Sequence, residues 1–120
     1  MTKKLSLDEK IFIAGSNGMV GRAIKRGLIK YGYNNSTNKG LILSPNRSEL
    51  DLTNYSLLEK WFKKNKPTIV IIAAAKVGGI YANDNQPCDF ILENLKIQTN
   101  LIELSWKYKV KKLLFLGSSC

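Results

Sequence analysis

Lys10-Ile11-Phe12-Ile13-Ala14-Gly15-Ser16-Asn17-Gly18-Met19-Val20-Gly21 joins a short apolar run directly to a Gly-x-x-Gly-x-x-Gly series. An apolar run that ends at glycine reads as a buried parallel strand, here over residues 10–14. From Gly18 to Tyr31, Val20, Ala23, Ile24, Leu28 and Tyr31 recur at three- and four-residue steps, which predicts a helix with one apolar stripe. Strand, glycine turn and helix in that order is the context in which such glycines bind a diphosphate. Lacking Cβ atoms, they let the backbone turn sharply and let the ligand reach the free N–H groups and positive dipole end of the helix. The third glycine is expected to let the helix pack closely on the sheet. The stretch therefore predicts a dinucleotide site.

Asn34 to Gly40 is polar and turn-rich and reads as a loop, and Leu41-Ile42-Leu43 follows as a second strand. Leu57, Leu58, Trp61 and Phe62 mark the inner face of a second helix, with Thr53 or Ser56 as its N-cap. Thr68 to Ala75 is an unbroken apolar run, a third strand buried on both faces. After a turn at Asn83 to Gln86, Pro87 opens a helix whose Phe90, Ile91, Asn94, Leu95, Leu101, Ile102 and Ser105 keep helical spacing, ending near Tyr108. Lys112 to Leu116 is a fourth strand.

Alternating strands and helices predict an α/β fold: a partial, Rossmann-like, doubly wound parallel sheet of four strands. The expected spatial order, numbering strands along the chain, is 3-2-1-4. The ligand would then lie at the carboxyl ends of the first and fourth strands.

With 120 residues, 44% hydrophobic and 23% charged, the chain is expected to form one globular domain over residues 1–120. The first ten residues show no secretory signal, and the longest apolar run, Ile69 to Ala75, is too short to span a membrane, so a soluble cytoplasmic protein is expected. Cys88 and Cys120 are the only cysteines and there is no histidine, which argues against a disulfide framework and a Cys/His metal site. The net charge of +10 would attract nucleotide or nucleic-acid phosphates. Lys25, Lys30, Lys60, Lys63 and Lys64 fall on helix surfaces, without zinc-finger spacing or an RNA-binding aromatic signature, and read as a solvated face.

An NAD-specific site would place an acid at the end of the second strand to hold the ribose hydroxyls. Ser44-Pro45-Asn46-Arg47 stands there instead, with no acid before Glu49. Arg47 is therefore the candidate clamp for the 2′-phosphate of NADP, since a guanidinium meets phosphate in a two-pronged way. Beyond the fourth strand come Gly117, Ser118, Ser119 and Cys120. In an extended conformation residues 118 and 120 face the same way, although strand-capping polarity explains such an ending as well.

Residues 12–21 (FIAGSNGMVG), 73–80 (AAAKVGGI) and 112–120 (KLLFLGSSC) resemble the extended short-chain dehydrogenase/reductases, the NAD-dependent epimerase/dehydratase family, and within them the GDP-L-fucose synthase family. The resemblance runs from about Lys10 to the last residue. It implies NADP(H) as cofactor, GDP-4-keto-6-deoxy-D-mannose as substrate, epimerisation at carbons 3 and 5, and reduction of the 4-ketone to give GDP-L-fucose. It implies Ser118 as the catalytic serine that hydrogen-bonds the 4-oxygen and Cys120 as the acid/base cysteine of epimerisation. The segments matching the family's cofactor lining are Gly15, Ser16, Asn17, Gly18, Met19, Val20 and Gly21, then Arg47, Ser48, Glu49, Leu50, Asp51 and Leu52, then Leu116, Gly117, Ser118 and Ser119.

Asn17 departs from the family, which often has arginine there. The family's histidine is absent, and so is its Tyr-x-x-x-Lys pair on a later helix. Tyr108 and Lys112 have that spacing but straddle a helix end and a strand, so they do not form the pair. The chain thus reads as an N-terminal part of such an enzyme, inactive alone, whose homodimer-forming helices and substrate domain lie beyond residue 120. The alternative is a non-catalytic NADP(H)-binding or sensing module.

Overall fold

The computed structural model describes residues 5–73 and 87–116. Strand β1 (Lys10–Ala14) pairs in parallel with β2 (Leu41–Leu43) on one side and with β3 (Ile69–Ile72) on the other. A fourth strand, β4 (Lys112–Phe115), lies parallel to β3, Ile69 opposite Lys112. Helices α1 (Met19–Tyr31), α2 (Tyr55–Asn65) and α3 (Pro87–Lys107) connect them in turn. The sheet is Rossmann-like and parallel, as its sequence predicts.

Side-chain alternation along β1 and β3 divides the core in two. Phe12, Ala14, Val70 and Ile72 face a cluster with Leu58 and Phe62 of α2 and Ile97, Leu101 and Leu104 of α3. Ile11, Ile13, Ile69 and Ile71 face the opposite cluster with Ile42 and Tyr33, against which Ile24 and Leu28 of α1 pack. Period-two alternation inside unbroken apolar runs thus supplies both faces at once.

The strand order is β2-β1-β3-β4, not the expected 3-2-1-4. Right-handed crossovers explain the difference. Moving from β1 to β2 places α1 on one face; reversing direction from β2 back past β1 to β3, and on to β4, places both α2 and α3 on the other. The shared core of α2 and α3 requires that second path, because an order of 3-2-1-4 would put α1 and α2 together. The reversal point therefore lies between β1 and β3 rather than between β1 and β4.

Local details differ as well. Asn54, not Thr53 or Ser56, caps α2, its Oδ1 accepting from Leu57 N at 3.1 Å. Val20 and Leu57, expected inside, are 53% and 48% exposed. The inner face of α3 is Ile97, Leu101, Leu104 and Ser105, whereas Ile91, Leu95 and Ile102 are exposed, so that helix carries apolar residues on more than its core stripe. β4, at the edge of the described sheet, is exposed along its whole length.

Candidate nucleotide-binding site

The turn from β1 into α1 uses its glycines for different reasons. Gly15 has φ of +89°, a left-handed conformation that side chains other than glycine rarely adopt, and its carbonyl accepts from Gly18 N at 3.2 Å. Gly21 is buried against the turn itself: a Cβ there would stand 2.2 Å from Gly15 O and 2.8 Å from Ser16 Cα. The close approach predicted for the third glycine is thus to the turn backbone. Gly18, the N-cap, has ordinary φ of −73°, and a Cβ there would meet only Gly15 O at 3.5 Å.

Among the described residues no side chain caps α1, and its first turn holds no acid. The N–H groups that open a helix lack intrahelical partners and carry its positive dipole end, so this terminus suits an anion. Ser16, 6% exposed, ties the turn to the end of β2 by donating from Oγ to Ser44 O at 3.3 Å.

A cavity of about 310 Å³ opens at this terminus, lined by Gly15, Ser16, Asn17 and Gly18, by Pro45, Asn46 and Arg47 beyond β2, by Leu50 and Leu52, and by Ala73 after β3. It occupies the carboxyl end of the sheet at the β1/β3 reversal, where the fold rule places a ligand. Beside it is a second cavity of about 490 Å³, sharing Arg47 and Leu52 and closed by Asp51, Thr53 and residues of α3.

Arg47 is held by a one-turn motif. Asn46 Oδ1 accepts from Glu49 N at 3.0 Å and Glu49 Oε1 accepts from Asn46 N at 3.1 Å, the reciprocal arrangement of a capping box. Ser48 Oγ also donates to Asn46 Oδ1, at 2.6 Å. Asp51 Oδ1 accepts from Thr53 N at 2.9 Å and from Thr53 Oγ1 at 2.6 Å. Those two hydrogen bonds, with a smaller contribution from Arg47, hold the Asp51 carboxyl below the ordinary aspartate range.

The predicted residues divide accordingly. Gly15, Ser16, Asn17, Gly18, Arg47, Leu50 and Leu52 line the first cavity, and Asp51 lines the second. Met19, 83% exposed, and Val20 belong to the first turn of α1 without lining the cavity; Gly21 lies behind it, and Ser48 and Glu49 build the turn that presents Arg47. Leu116 continues β4 beside β3, its N–H donating to Ile72 O at 3.1 Å, and lines neither cavity. Gly117, Ser118, Ser119, Cys120 and residues 74–80 lie outside the described residues.

Sequence reasoning missed Pro45 and Asn46, although Asn46-x-x-Glu49 is a capping-box spacing that could have shown the turn. Tyr108 and Lys112 are separated by Lys109, whose φ of +56° breaks the helix, and Tyr108 donates to Glu59 Oε2 at 2.8 Å. They do not form a reductase pair.

A parallel sheet with an uncapped helix terminus and a guanidinium at its carboxyl edge defines a Rossmann-like α/β domain with a candidate anion site. Residues 11–120 match the model of the NAD dependent epimerase/dehydratase family, and the chain belongs to that family. It is 53% identical over 111 residues to GDP-L-fucose synthase 1 of Arabidopsis thaliana, covering 92% of this chain and 32% of the relative. It is 44% identical over 112 residues to the GDP-L-fucose synthase of Escherichia coli, covering 93% and 33%.

Among solved structures, a GDP-mannoheptose C4 reductase from Campylobacter jejuni with NADP bound superposes with a TM-score of 0.84 at 41% identity, over 95% of this chain and 34% of that one. A GDP-D-glycero-L-gluco-heptose synthase from the same organism, in the presence of NADPH, gives 0.85 and 41%, over 97% and 32%. The chain thus spans about a third of the length of these relatives. Among the described residues no helix is long and apolar enough to cross a membrane, and no group of three or more His, Cys, Asp or Glu could hold a metal ion.

Proposed function

We propose that this chain binds NADP(H) along the carboxyl edge of its sheet and is the N-terminal part, residues 1–120, of the cofactor domain of an enzyme of the GDP-L-fucose synthase type. Such an enzyme epimerises GDP-4-keto-6-deoxy-D-mannose at carbons 3 and 5 and reduces its 4-ketone. The observation that carries this reading is the cavity in which the uncapped α1 terminus and Arg47 share one space. The NADP and NADPH named for the two Campylobacter structures support it.

In this reading the N–H groups opening α1 hold the diphosphate, and Arg47 takes the 2′-phosphate through paired hydrogen bonds. Leu50 and Leu52 supply apolar wall. NADPH, when bound, supplies the hydride for the ketone. Ser118 hydrogen-bonds the 4-oxygen, and Cys120 moves the proton on the carbon next to it, which the ketone acidifies. The chain contains no histidine, and Tyr108 and Lys112 do not form the reductase pair. Residues 1–120 alone are therefore inactive in the overall reaction.

Titration of the purified chain with NADPH and NADH, followed by nicotinamide fluorescence, tests the reading. NADPH binds in a saturable way and more tightly than NADH; Arg47→Gln removes about ten- to a hundredfold of NADPH affinity, the loss of hydrogen bonds to a charged group, and Gly18→Glu removes binding of both. A chain that ignores NADPH, or whose response survives Gly18→Glu, refutes it.

A further inference from the structure

Arg47 already has a partner. Its Nη1 lies 3.4 Å from Oε1 of Glu93, a residue of α3 far away in sequence. The contact sits where the two cavities meet, since Arg47 lines both and Glu93 lines the second. A guanidinium that grips a 2′-phosphate with both terminal nitrogens cannot keep this carboxylate pairing unchanged. A carboxylate so close to the arginine would also stand near the incoming phosphate, and like charges at that range repel.

We propose that Glu93 is a specificity-determining residue: it neutralises Arg47 before the cofactor arrives and must yield it to the 2′-phosphate, so it weakens NADP(H) while leaving NAD(H) untouched. This inference rests on the NADP(H) reading above. The Arg47 side chain is 57% exposed and that of Glu93 32% exposed, so solvent and salt screen the pair and its effect is a few-fold one.

The test uses the full chain, with NADPH and NADH as probes, in wild type, Glu93→Gln, Arg47→Gln and the double variant. Glu93→Gln keeps the side chain's shape and removes only its charge. At roughly 20 mM salt it tightens NADPH about two- to fivefold, with NADH within about 1.5-fold of wild type, and at roughly 0.5 M salt the gain disappears. On the Arg47→Gln background the same change has a smaller effect on NADPH, because only the direct repulsion of the phosphate is then relieved.

The proposal is overturned if Glu93→Gln binds NADPH no better than wild type. It is also overturned if binding becomes weaker, which would mean that Glu93 orients Arg47 for the phosphate, or if NADH gains equally. Failure of the parent reading looks different: wild type then shows no saturable NADPH binding, and both fall together. If wild type binds NADPH through Arg47 and Glu93→Gln changes nothing, only the role of Glu93 is lost.

Discussion

Alanine at Gly21, Gly18 and Gly27 separates packing, ligand space and helix propensity within one helix and its cap. At Gly21 the new Cβ would lie 2.2 Å from Gly15 O, with Ser16 Cα at 2.8 Å and Gly15 C at 2.9 Å, all backbone atoms of the turn. Reaching an ordinary carbon–oxygen separation of about 3.3 Å requires a shift of about 1.1 Å, and no flexible side chain is there to give way. Overpacking of this kind costs about 1–3 kcal/mol, and rigid neighbours put Gly21→Ala at the upper end.

A Cβ at Gly27 meets nothing within 4 Å, so Gly27→Ala should gain about 0.8–1 kcal/mol from helix propensity alone. Both substitutions carry the same propensity gain, so the gap between them isolates the packing cost at about 2–3 kcal/mol. With a urea m-value of about 1.5 kcal/mol per molar, their unfolding midpoints should differ by roughly 1.3–2 M. At Gly18 the Cβ makes one ordinary contact and φ is unstrained, so Gly18→Ala costs at most about 1 kcal/mol of capping. Its methyl would nonetheless enter the cavity at the α1 terminus and lower NADPH affinity. Urea unfolding by circular dichroism, beside NADPH titration, reads both quantities. Equal midpoints for the Gly21 and Gly27 variants, or wild-type NADPH binding by Gly18→Ala, would refute the reasoning.

Other substitutions probe the surrounding turns. Asn54→Ala removes the side-chain cap of α2 and should cost about 1 kcal/mol in urea unfolding. Asn46→Ala dissolves the capping box beneath Arg47; the two-pronged grip loosens, and NADPH affinity should fall more than NADH affinity in paired titrations. Thr53 keeps the Asp51 carboxyl below its ordinary range, so its contribution to stability is complete above the usual aspartate value of about 3.9 and is lost as pH falls through the lower folded value. The stability gap between wild type and Asp51→Ala should therefore be constant above about pH 5 and close below pH 4; a gap that widens on acidification contradicts the assignment.

Residues 10–21 made the first strand, the glycine turn and the first helix legible, because each rests on local chemistry: an apolar run, missing Cβ atoms and a three-to-four-residue stripe. The strand order was not legible in the same way. Thr68 to Ala75 reads as a buried strand wherever it sits, and its place beside β1 is set by Leu58 and Phe62 of α2 sharing a core with Leu101 and Leu104 of α3. No window of sequence contains that contact. Tyr33, 1% exposed, follows a helix-ending glycine and carries no periodic signal; its burial comes from packing with Ile11, Ile13, Ile42, Ile69 and Ile71, while its hydroxyl donates to the Ser6 carbonyl. At the site, Arg47 could be found by the absence of an acid after β2. Glu93 could not, because its pairing depends on how α3 lies over the turn holding Arg47.

The topology divides the work of cofactor recognition unequally. The diphosphate end of the cavity is main chain, fixed by the φ of Gly15 and the approach of Gly21, so it would hold a dinucleotide of either kind. In the proposed reading, choice between NADP and NAD falls to side chains on the loop after β2, and Arg47 is the only charged residue lining that cavity among the described residues. Asn17, where the family often has arginine, adds no second cation. NADPH binding should thus weaken only gently with salt, as one or two ionic contacts dictate, and not with the steep slope of a surface that collects many phosphates.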